Sequence, residues 1–185
     1  MADLVKIGYN VNVRLDVFRQ GLTLRDERMR NVKKEITMDQ VRQDAEAIYS
    51  SGELSCSEAI VHSIIKNVDP TMPEVLIPTV SGFSVGVGGT QCMCSTVSAA
   101  VFCLGYVFGR TFPTTITDPE SLKTLELSLE VQEDFRANNK VSCCKILRKG
   151  VKEGERSEKC IGLVGDMAVK TASIIARELK LKVVA

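Results

Sequence analysis

From Thr37 onward the hydrophobic and polar positions follow a helical period. Thr37-Met38-Asp39-Gln40 reads as a capping box, with Asp39 placed well for the helix dipole, and predicts a helix from about Met38 to Tyr49 ending near Gly52. Cys56, Ala59, Ile60, Ser63 and Ile64 share one face of a second helix, Cys56 to Asn67, with Ser55 or Ser57 as N-cap and Asp69-Pro70 as its stop. After Cys94 the chain is apolar nearly all round and rich in small residues as far as Phe108, which predicts a central, buried helix. Asp118-Pro119-Glu120 is a helix start, with a carboxylate N-cap and proline at the first helical position, for a helix to about Ala137. A short helical turn is expected at Cys143 to Leu147. The last helix carries the cleanest stripe, Cys160, Leu163, Val164, Met167, Ala168, Thr171, Ile174, Ile175 and Leu179, opposite Lys159, Asp166, Lys170, Arg177 and Lys180.

No internal repeat and no convincing series of strands appears. The expected fold is therefore all-α, a compact helical bundle of about five to six helices with a Gly-rich loop before the central helix. That loop, Gly86-Val87-Gly88-Gly89-Thr90, is expected to be flexible and leads straight into Cys92-Met93-Cys94. Residues 1–36 read differently. Val11, Val13, Leu15 and Val17 alternate like a strand, and Arg14, Arg25, Arg28, Arg30, Lys33 and Lys34 make the segment basic, so it is assigned as an N-terminal arm or extra helix ahead of a domain at 37–185.

Composition narrows the function classes. The 185 residues suit one domain, and 24 basic against 23 acidic residues, with no basic patch, argue against a nucleic-acid binder. The longest apolar stretch, Val97 to Gly109, falls short of the ~20 residues a membrane span needs. The start, Met1-Ala2-Asp3-Leu4-Val5-Lys6, lacks the basic and apolar regions of a secretory signal, so a cytoplasmic location is expected.

Seven cysteines stand out against no Trp and one His. In a reducing compartment their use is metal binding or redox chemistry rather than structural disulfides, and the odd count agrees. Cys56 and Cys160 lie on inward faces of two helices; taken alone, each reads as a core residue. Cys92 and Cys94 sit where a glycine loop enters a helix, and Cys143 and Cys144 sit at another helix entry. A helix N-terminus offers unpaired N–H groups and the positive end of the dipole, which lower a thiol's pKa and stabilise a thiolate or an anionic cluster. Cys103, mid-way along the buried helix, is read as plain core. His62 is read as a surface or hydrogen-bonded residue. The glycines lack the preceding strand of a nucleotide-binding unit, and Val75-Leu76-Ile77-Pro78 is a poor one, so a phosphate role is set aside.

From about Gly52 to Leu179 the chain resembles the redox-active protein family named for its motif, C_GCAxxG_C_C. The residues that carry the likeness are Ser55-Cys56-Ser57-Glu58-Ala59-Ile60, then the glycine loop with Met93-Cys94-Ser95-Thr96-Val97-Ser98, then Cys144-Lys145-Ile146-Leu147, and last Cys160-Ile161-Gly162-Leu163-Val164. Where the family has Gly-Cys-Ala-x-x-Gly, this chain has Met93, Ser95 and Ser98 in place of Gly, Ala and Gly. The family is also similar to the non-haem part of split-Soret cytochrome c, a dimeric protein associated with an iron–sulfur site. This chain has no Cys-x-x-Cys-His for covalent haem.

The resemblance implies that Cys56, Cys94, Cys144 and Cys160 are ligands of a [2Fe–2S] or [4Fe–4S] cluster, with Cys92 and Cys143 as further candidate cofactor-binding residues. It also implies a homodimer and a redox partner protein. Two other uses of the thiols stay open. One is a metal-free thiol–disulfide protein with Cys94 or Cys92 as a low-pKa attacking thiol and Cys144 among the resolving candidates. The other is a zinc-stabilised helical interaction module. No triad, paired-carboxylate site or metalloprotease motif is present, so an oxidoreductase or electron-transfer role is as far as an activity can be named.

Overall fold

The computed structural model describes residues 32–111, 113–152 and 155–184. Among them a short strand β1 (Glu35–Thr37) leads into α1 (Met38–Ser51) and α2 (Cys56–Asn67). The single helical turn α3 (Leu76–Thr79) and a 3-10 turn (Ser81–Phe83) follow, then α4 (Ser95–Phe108), α5 (Pro119–Asn139), the single turn α6 (Cys144–Leu147), α7 (Glu158–Leu179) and β2 (Lys182–Val184). The fold is the expected helical one.

Helix α7 packs against α1, α2, α4 and α5, and α4 packs against α2, α5 and α7. The apolar stripe of α7 explains its place: Val164, Met167, Ala168, Ile174 and Ile175 are all buried. Thr171, buried within that stripe, satisfies its hydroxyl by donating to the Met167 carbonyl at 2.7 Å. Ser95, Ala99 and Ala100 of α4 are buried too, and such small side chains let neighbouring helices approach. Ile60 and Ile64 of α2 are fully buried, each contributing roughly 1.5–3 kcal/mol relative to an exposed side chain.

The helix ends follow local chemistry. The Asp118 carboxylate accepts the Glu120 N–H at 2.9 Å ahead of Pro119. Ser55 is the N-cap of α2, and its own N–H donates to Glu58 at 2.9 Å. The capping box expected at Thr37 does not form: Thr37 makes no side-chain cap bond, and Gln40 is directed to Asp44 instead.

One further feature departs from the expectation. β1 and β2 pair in parallel, Ile36 against Val183, joining the two ends of the described chain across the bundle. The glycine loop forms a hydrogen-bonded left-handed turn. Val85, Gly86, Val87, Gly88 and Gly89 have φ of 52°, 71°, 60°, 63° and 78°.

Most of the basic N-terminal arm lies outside the described residues, the alternating Val11 to Val17 among them. Its last residues are part of the domain: Val32 and Ile36 are buried, and the Lys33 N–H donates to the Val68 carbonyl at 3.0 Å. Among the described residues no helix is long and apolar enough to cross a membrane.

Candidate redox site

Four helix N-termini open onto one cavity of about 780 Å³. Cys56 is the first residue of α2, Cys94 the N-cap of α4, Cys144 the first residue of α6, and Cys160 lies in the first turn of α7. All four line that cavity, along with Tyr49, Gln91, Arg148, Arg156 and Leu163. Residues separated by as many as 104 positions are thus brought to one place by helix packing.

The left-handed turn sets the pair Cys94 and Cys144. A non-glycine residue in this conformation costs roughly 1–2 kcal/mol, so Val85 and Val87 hold strained backbone that the surroundings must fix. The fixing bonds are on the site itself. The Val87 N–H donates to the Phe83 carbonyl at 2.8 Å, and the Gly86 N–H donates to the Ser95 hydroxyl at 2.9 Å. Ser95 in turn donates to the Phe83 carbonyl. On the other side the Cys94 N–H donates to the Ser142 carbonyl at 2.7 Å, and the Lys145 N–H to the Gln91 carbonyl at 3.0 Å. The loops bearing Cys94 and Cys144 are therefore tied together by backbone bonds.

Burial dominates the protonation of these thiols. It pushes Cys94 up, against hydrogen bonding from Thr96, whose hydroxyl lies 3.1 Å from the sulfur. Burial pushes Cys144 up to about 11, and the charges of Cys94 and Cys56 add to the effect, while Arg148 opposes it. A low-pKa Cys94 is therefore not what the structure gives. Desolvation outweighs the helix terminus, and an isolated thiolate is disfavoured here until a cation compensates it. Tyr49 is held neutral by burial, at about 12.

Two guanidinium groups border the cavity. Arg156 stacks on the Tyr49 ring, 4.5 Å from its centroid. It donates to the carbonyls of Tyr49, of Leu54 at 3.0 Å and of Gly52 at 3.2 Å, closing the C-terminal end of α1. Arg148 donates to the carbonyls of Lys152 at 3.3 Å and Glu155 at 3.1 Å.

The remaining cysteines stand apart. Cys92 is exposed, and Cys143 is half-buried with its sulfur donating weakly to the Gln91 carbonyl at 3.5 Å; neither lines the cavity. Cys103 is fully buried in α4, and burial alone holds its thiol up at about 12. His62 carries a buried Nδ1 without a partner among the described residues, and it too is outside the cavity lining. All seven thiols are unpaired. Among the described residues no three His, Cys, Asp or Glu side chains are close enough to hold a single metal ion.

Residues 54–174 match the family model described as Putative redox-active protein (C_GCAxxG_C_C). The chain belongs to this family. No curated protein and no solved structure matches it. The motif in the family's name has four cysteines, and four line the cavity. Met93, read from the sequence as replacing a motif glycine, has a backbone that is not left-handed, so no glycine is needed there. Ser95, read as replacing a motif alanine, supplies the hydroxyl that holds Gly86.

Tyr49, Arg148 and Arg156 were not singled out by sequence reading. Tyr49 ends an ordinary helix, and the arginines lie in or beside the polar segment after α6.

Proposed function

We propose that this protein is an electron-transfer or redox-sensing protein whose cluster is held by Cys56, Cys94, Cys144 and Cys160. The observation that carries the reading is that these four thiols, and none of the other three, line one cavity at four helix N-termini. Four thiolates are the usual donor set of a [2Fe–2S] or [4Fe–4S] cluster, so the residues fit the group.

When bound, the cluster supplies an electron-transfer couple whose potential responds to burial, nearby charge and hydrogen bonds to sulfur. The chain's own contributions follow from the site. Burial keeps water from Cys94 and Cys144, the Thr96 hydroxyl donates toward the Cys94 sulfur, and Arg148 and Arg156 place positive charge beside the anionic centre. The raised Cys94 and Cys144 thiols disfavour the metal-free thiol–disulfide alternative, because the attacking thiolate is scarce.

A homodimer in a reducing, cytoplasmic setting, working with a redox partner protein, completes the reading. Its support is the exposed face of α5, where Leu122, Leu125 and Leu129 are 51%, 54% and 57% exposed at the 3–4 spacing of a helix–helix seam. A native mass of one 20.3 kDa chain would remove the dimer and leave the cluster reading standing.

The test is the visible spectrum of protein purified without oxygen and reconstituted with iron and sulfide. Charge-transfer absorption that bleaches on reduction is expected. A colourless product would sink the reading.

A further inference from the structure

The cysteines account for only part of the cavity. Its volume, about 780 Å³, is in the range of pockets that enclose small organic ligands. Besides the thiols, its lining includes Tyr49, Arg148 and Arg156 with the apolar Val151 and Leu163.

The donors of Tyr49, Arg148 and Arg156 are incompletely used. A guanidinium has five N–H groups. Arg148 spends two bonds from Nη2 on the Lys152 and Glu155 carbonyls, which leaves Nη1 and Nε without partners among the described residues. Arg156 binds three carbonyls through Nη1 and Nη2, which leaves Nε. Among the described residues neither is paired with a carboxylate. Glu155 also lines the cavity, but its Oε2 accepts the Lys152 N–H at 3.1 Å. Tyr49 is only 9% exposed, and its hydroxyl has no partner among the described residues. Two guanidinium groups that make no ion pair among the described residues, with a phenol O–H and apolar side chains in the same lining, form a receptor for an oxyanion with a carbon body.

We propose that the cavity binds a small organic anion next to the cysteines, its carboxylate or other oxyanion received by Arg148, Arg156 and the Tyr49 hydroxyl. Such a molecule would be the substrate or effector of the redox centre. This last step rests on the cluster reading, but the binding itself does not.

Benzoate and its neutral isostere benzamide separate the possibilities, titrated by nuclear magnetic resonance into the full, iron-free chain. Benzoate is expected to bind at least tenfold more tightly than benzamide and to shift the arginine Nε–H signals. Arg148→Gln should weaken benzoate tenfold or more, with Arg148→Lys recovering part of the loss. Tyr49→Phe, which keeps the ring under Arg156, should weaken it severalfold. Helical circular dichroism checks that each variant is folded. Equal affinity for the two probes, no binding of benzoate, or unchanged binding in folded Arg148→Gln would overturn the proposal. Because iron is absent, failure here leaves the cluster untouched, and a chain that never takes up iron can still bind benzoate.

Discussion

A Cβ placed on Gly86 would stand 2.8 Å from the Cβ of Cys144 and 2.6 Å from the Cα of Gln91. Gly86 is also left-handed, at φ 71°. The absence of a side chain at this position is what lets the segment carrying Cys94 close on the segment carrying Cys144.

Gly86→Ala is therefore expected to be destabilising by about 2–4 kcal/mol, the sum of backbone strain and a contact that backbone atoms cannot relieve. It should also abolish cluster loading. Gly88→Ala is the control: it has φ 63° but open space around it, so it should be destabilising by about 1 kcal/mol and load normally. Urea unfolding of the two variants, with iron uptake, checks both.

The three cysteines outside the cavity should be dispensable for the cluster in different ways. Cys92→Ser, at an exposed site, should change neither stability nor loading. Cys143→Ser should load as well. Cys103→Ser should load but lose about 1–3 kcal/mol, because it puts a hydroxyl into a fully buried position. A loss of cluster in Cys92→Ser would show that the exposed thiol takes part.

Stability should depend on pH at both extremes. Cys144 rises from an ordinary 9.0 to about 11 in the fold, chiefly through burial. The folded state thus prefers the protonated thiol, so stability is full below about pH 9 and is lost as pH climbs toward 11. The melting temperature of the metal-free protein should fall over that window, and less so in Cys144→Ser. Across the same window metal affinity should increase with pH, since binding releases the thiol protons.

In acid the relevant group is Glu130, held down at about 2 by Arg177 first and then Lys170, which join α5 to α7. Its contribution is present above about pH 4.5 and is lost as pH falls toward 2. The carboxylate is 32% exposed, so solvent screening limits Glu130→Gln to below about 1 kcal/mol at neutral pH. The melting curves of this variant and of the unsubstituted protein should differ at pH 7 and converge as pH is lowered to about 2.

How legible this was in the sequence differs from element to element. Helix α2 and helix α7 were readable because an apolar stripe and a local start signal agreed, and Asp118-Pro119 marked α5 for the same reason. The strands β1 and β2 were not. Three residues cannot show a period, and their partners lie 147 positions apart. At Thr37 the capping-box pattern was present, but Gln40 bonds Asp44 and the box does not form. For the site, glycine-loop and helix-entry cues pointed to Cys94 and Cys144, but spacing alone made Cys56 and Cys160 ordinary core residues. The family pattern raised them. Arg148, Arg156 and Tyr49 left no trace in the sequence, since arginines in a polar segment look like solvated surface and a tyrosine at a helix end looks like packing.

The most direct test of the account is a count of iron and acid-labile sulfide per chain, after anaerobic reconstitution, in the unsubstituted protein and in the Ser variants of Cys56, Cys94, Cys144 and Cys160. Iron and sulfide in equal amounts, lost or sharply reduced in each of the four variants, is the predicted result. Iron without sulfide, stoichiometric zinc in the native protein, or full loading in any of the four variants would contradict it.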